Sequence, residues 1–151
     1  ITHHLIEAEG LSLNYSDTHL VGSLFHVVND LERIGDHSEN IVEIGTTRKE
    51  DKISFSAKAE HEIEDLANRV TQKKQITDPE ILGEVFVLES QVDDMSEALA
   101  DHHVDRIKNK KCTPKNGMLY LDMMNNLERI ADHADNLAGS VEKKETNTLL
   151  W

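Results

Sequence analysis

Asn29-Asp30-Leu31-Glu32-Arg33-Ile34-Gly35-Asp36-His37-Ser38-Glu39-Asn40 returns as Asn125-Asn126-Leu127-Glu128-Arg129-Ile130-Ala131-Asp132-His133-Ala134-Asp135-Asn136, identical at eight of twelve positions and displaced by 96 residues. A weaker echo pairs His3-His4-Leu5 with His102-His103-Val104 at an offset of 99. Residues 1 to about 45 therefore duplicate about 100 to 140, and two related helical units stand in tandem. The division expected is 1–75 for the first unit and 76–151 for the second. On this reading the first ten residues are the end of a helix stopped at Gly10. The counterpart of residues 78–99 is expected upstream of Ile1.

Outside the motif, the apolar pattern is helical. Leu20, Leu24, Val27, Leu31, Ile34, Ile41 and Ile44 recur every three or four positions. They predict a helix from Ser16 to about Ile44, capped by Ser16 or Asp17, with residues 45–51 as its exit loop. A second helix is expected from Ser54 to about Lys73, with Phe55, Ala59, Ile63, Leu66 and Val70 on one face. Asp78-Pro79 opens a third of about 30 residues, Asp78 as cap and Pro79 where its missing N–H costs nothing. Thr113-Pro114 opens a fourth, to about Lys143. No stretch alternates with period two, so the fold class expected is all-α, long antiparallel helices joined by short loops.

Composition agrees. Charged residues make up 30% and aromatics 4% of 151 residues, with 7 Gly and 2 Pro, which suits a helical protein better than a β-sandwich. The net charge of −13 argues against nucleic acid or an anionic membrane surface as partner. A single cysteine, Cys112, excludes an intrachain disulfide and a cysteine-based zinc site. No apolar run approaches the length of a membrane-spanning helix.

Acidic pairs carry the chemistry. Glu32 and Asp36 are four apart and so project from one helix face, as do Glu89 with Asp93 and Glu128 with Asp132. Each Glu directly follows a leucine of the core stripe (Leu31, Leu88, Leu127), which puts the carboxylates at the border of the packed face. Like charges at this spacing repel by roughly 0.2–0.5 kcal/mol per pair. A multivalent cation bridged by carboxylates of adjacent helices offsets that repulsion. The alternative is a solvated acidic helix face. No Glu-x-x-His of the di-iron bundles, nucleophile triad, P-loop or dinucleotide fingerprint is present. Met118, Met123 and Met124 are read as packing residues, and Cys112 as incidental.

At Leu31–Asp36 and its echo Leu127–Asn136 the sequence resembles the PhoU family of phosphate-uptake regulators. From His103 through Arg106-Ile107, Cys112, Gly117 and Leu119 it is similar to the PhoU-like cytoplasmic domain of bacterial sodium/phosphate cotransporters. The resemblance implies tandem three-helix bundles, each with two acidic motifs holding a multinuclear iron or zinc cluster. Glu89, Asp93, Glu128 and Asp132 would form the second bundle's site; Glu32 and Asp36 would be half of the first bundle's. It further implies a non-enzymatic regulator at the cytoplasmic, inner face of the membrane, with metal ions and a phosphate transporter as partners. With its N-terminal helices missing, part of the Leu20–Ile44 stripe is left open, so a homo-oligomer is expected. The rival readings are a carboxylate-bridged metalloenzyme and a structural helical adaptor without metal.

Overall fold

The computed structural model describes residues 1–71 and 79–148, and in those residues five helices and no strand occur. They are α1 (Thr2–Glu9), α2 (Tyr15–Glu50), α3 (Ala57–Val70), α4 (Pro79–Lys108) and α5 (Pro114–Thr148). The expected all-α class holds. Among the described residues no helix is long and apolar enough to cross a membrane.

The helix ends follow local chemistry. Asn14, not Ser16 or Asp17, caps α2, accepting from the Asp17 amide at 2.9 Å. Ser56 caps α3 through the Ala59 amide at 3.3 Å. The expected cap of α4, Asp78, lies outside the described residues. Helix α2 continues through most of the expected exit loop, to Glu50, because Gly45 breaks nothing and the last turn is anchored. There Ile44 enters the core, while Arg48 lies over the Phe55 ring and pairs with Glu60. α2 and α4 end alike: Lys52 and Lys110 adopt the left-handed conformation, and the Ile53 and Lys111 amides reach back to the Arg48 and Arg106 carbonyls. Both ends are Schellman turns built on lysine rather than glycine.

Helix α5 is the centre. It packs on α2, α3 and α4, while among the described residues α1 packs only on α2. Leu66, Val92, Leu99, Leu119, Tyr120, Met123, Met124 and Leu127 form the main core, which Ile44 and Ala59 join. Residues from both expected units therefore share one core. Leu20, Leu24 and Leu31 stay exposed, as does Met118, which does not pack as expected. The two motifs cross antiparallel through reciprocal bonds: His133 Nδ1 meets Asp30 Oδ1 at 2.9 Å, and His37 Nδ1 donates to Asn126 Oδ1 at 2.9 Å. The two imidazoles stack 5.8 Å apart. Asp30 and Asn126 occupy the same place in the repeat, so the contact is a pseudo-two-fold one.

Candidate metal centre

Where α4 faces α5, Glu89, Asp93 and Asp132 bring carboxylate oxygens within 4.8 Å of one another. Val92 beside Asp93, and Leu127 and Ala131 beside Glu128 and Asp132, are buried in the shared core. Asp93, Glu128 and Asp132 therefore each follow a core residue and sit at the rim of the packed seam. Glu89 and Asp132 are half-buried and Asp93 is exposed, so the group opens to solvent on one side.

Electrostatics extend the cluster to five acids. Burial pushes the Glu89 carboxyl up, and Asp93, Asp135 and Asp132 push it further. Burial likewise raises Glu128, with Asp132 and Asp93 adding to it while Arg129 opposes. Asp135 is raised by burial and then by Asp132, and its Oδ1 is buried with no hydrogen-bond partner among the described residues. A cluster whose members hold one another's pKa values up is short of positive charge. The compensation present is slight: Arg129 Nη1 reaches Asp132 Oδ2 at 3.5 Å and is itself largely solvated.

Of the six residues singled out in the sequence, three converge closely and Glu128 joins them through its field. Glu32 and Asp36 do not join them. They lie exposed on α2, and among the described residues no third ligand stands beside them. Asp135 enters the centre although it belonged to no acidic pair; its signal was its place three residues after Asp132 on the same helix. The donors fit a metal ion. Carboxylate oxygens suit hard and borderline cations, and the orphaned Asp135 oxygen adds a donor without a proton to accept. A second group, His3, His4 and Glu7, is exposed and drawn from α1 alone.

A family model described as PhoU domain matches residues 2–45 and 75–141, which takes in all six expected ligands and Asp135. The chain belongs to the PhoU domain family. It is 30% identical over 125 residues to a phosphate-specific transport system accessory protein PhoU homolog 1 of Thermotoga maritima, covering 78% of this chain and 53% of that protein. It is 25% identical over 139 residues to a PhoU homolog of the same transport system in Streptococcus pneumoniae, covering 89% and 64%. The chain thus spans between 53% and 64% of the length of these PhoU relatives. No solved structure matches it significantly.

Proposed function

We propose that this chain is a metal-binding regulatory domain that modulates phosphate uptake at the cytoplasmic face of a phosphate transporter. The observation that carries the metal is the convergence of Glu89, Asp93 and Asp132 on one gap, with Glu128 and Asp135 in their field. The regulatory role is supported by membership of the PhoU family and by relatives named as accessory proteins of phosphate-specific transport. The transporter is the partner, whether as a separate protein or as a sodium/phosphate cotransporter of which this is the cytoplasmic portion. The two related units, 1–75 and 76–151, carry unequal sites.

When bound, a multinuclear cluster of iron or zinc supplies the positive charge that crowded carboxylates lack, and ties α4 to α5. Manganese and magnesium suit an all-carboxylate set as well. The chain's own residues do the rest. Leu127 and Val92 pack in the seam between α4 and α5, Glu89 and Asp93 stand near Asp132 at its rim, and a bound cation would take the place of Arg129 as the counter-charge of Asp132. The domain works by binding rather than by turnover, a reading supported by relatives named as accessory proteins of a transport system.

Elemental analysis of protein purified without chelator tests this. E128Q/D132N removes charge at nearly constant volume and is expected to lose most bound metal, whereas E32Q/D36N keeps it. Metal content equal in both would overturn the ranking of the sites, and absence of metal from the unaltered chain would leave a solvated acidic face. Phosphate uptake by cells carrying E128Q/D132N is expected to escape control.

A further inference from the structure

A second site lies where α3 and α5 both begin, lined by residues the acidic centre does not use. A cavity of about 80 Å³ opens there between Ser54, Ser56, His103, Arg106, Lys111 and Asn116. That is several times the roughly 10–15 Å³ that one water requires.

Three of its buried nitrogens, two on His103 and one on Arg106, have no hydrogen-bond partner among the described residues. His103 is only 2% exposed, and neither ring nitrogen has a hydrogen-bond partner among the described residues. The ring is stacked on Tyr120 at 5.4 Å. Gly117 leaves room for it: a Cβ there would stand 2.8 Å from His103 Cε1 and 2.9 Å from Nε2. Arg106 spends Nη1 on Glu62 at 2.6 Å, but its Nη2 is buried without a partner. Lys111 has no ion pair among the described residues. Buried donors of this kind are normally satisfied.

Charge selects the ligand. Among the described residues Arg106 and Lys111 are the only charged side chains lining the cavity, both cationic, in a chain of net charge −13. Glu62 pairs with Arg106 through Nη1 and leaves Nη2 and the Lys111 ammonium without a counter-charge among the described residues. Its carboxylate already accepts from Tyr120 at 2.8 Å, from Arg106, and at 3.0 Å from His102. The starts of α3 and α5 add the positive ends of two helix dipoles. A cation is repelled here, and an apolar ligand leaves the N–H groups unmet.

We propose that this cavity binds a small tetrahedral oxyanion of the phosphate or sulfate kind, held by Arg106, Lys111 and the His103 ring. Burial, and then the Arg106 charge, depress the His103 pKa, so the ring is neutral, with one N–H and one bare nitrogen. Monoprotonated phosphate offers a hydroxyl to that bare nitrogen and sulfate does not, which favours phosphate.

The test is calorimetric titration of the metal-free chain with inorganic phosphate, sulfate, phosphoserine and chloride at fixed ionic strength, with the histidine ring nitrogens followed by NMR. One phosphate per chain is expected, with sulfate weaker, chloride inert and the His103 signals shifted. Phosphoserine binding as well as phosphate assigns the anion to a phosphorylated chain, and weaker binding assigns it to the free ion; both support an oxyanion site. Lys111 is exposed, so K111Q should fold normally and weaken phosphate about tenfold through loss of one charge-assisted contact. No saturable uptake at millimolar anion, or binding that K111Q leaves unchanged, overturns the proposal. So does uptake that appears only after metal loading, which would move the anion to the acidic centre and leave the metal reading standing.

Discussion

Helices α2 and α5 carry the same motif, yet only α5 is enclosed. Leu31 is 53% exposed and its repeat mate Leu127 is 5% exposed; Val42 and Ala138 differ in the same way, at 68% and 6%. The cause is company. α5 has α2, α3 and α4 around it, whereas α2 has α5 and the short α1. The same difference governs the acids. Glu128 and Asp132 meet Glu89 and Asp93 from a neighbouring helix, while Glu32 and Asp36 meet solvent. A motif therefore specifies which side chains stand at the edge of a seam, and the neighbour decides whether a seam exists.

The contrast recurs at Glu62, whose buried network with Arg106 and Tyr120 joins α3, α4 and α5, whereas Arg48 of α2 pairs with the exposed Glu60. E62A strands a buried guanidinium and is expected to cost about 3–5 kcal/mol in urea denaturation. Burial pushes the Glu62 carboxyl up, but Tyr120, Arg106 and His102 outweigh it, so its pKa lies below the usual range. The stability this group contributes is therefore complete above the ordinary carboxylate range and is lost as pH falls through the depressed value. E62Q should blunt that acid limb of the stability curve. An unchanged acid limb would show the network to be incidental.

Next in size, L127A is expected to cost about 2–5 kcal/mol, as core leucines do, and L31A less than about 1 kcal/mol. Equal losses would break the comparison, because they would mean that α2 is covered in solution. Sedimentation across a range of protein concentration checks that directly, and the open Leu20, Leu24 and Leu31 face is expected to drive self-association.

Metal should separate the helices further. Saturating metal at a hundred times its Kd adds about 2.7 kcal/mol to the chain; D132N should abolish the rise in Tm and D36N should keep it. The smallest effect is in the metal-free protein. Glu89, Glu128 and Asp135 are raised in the fold, so their site loses stability as pH climbs from the ordinary carboxylate range through the raised values. E89Q should therefore stabilise the metal-free chain at neutral pH, by about 0.2–0.5 kcal/mol per like-charged neighbour relieved. E32Q, with its one partner in Asp36, should gain less. Thermal unfolding with and without chelator measures both.

Helical class, helix order and the start of α4 at Pro79 were legible in the sequence because a 3.6-residue period and proline chemistry are local. So was the edge position of the acidic pairs, since it depends only on spacing from Leu88 and Leu127. The place of Asp135 on the acidic border of α5 was legible from spacing, but its part in the centre was not, nor was the burial of His103. Asp135 matters because α4 brings Glu89 to it, and His103 matters because Gly117 and Tyr120 of α5 enclose it. The sequence by itself determined two copies of a helical motif with carboxylates at their margins. Only the tertiary structure decided that one copy converges with α4 on a shared gap while the other stays open, because convergence needs a second helix at packing distance and no residue of α2 encodes its own neighbour.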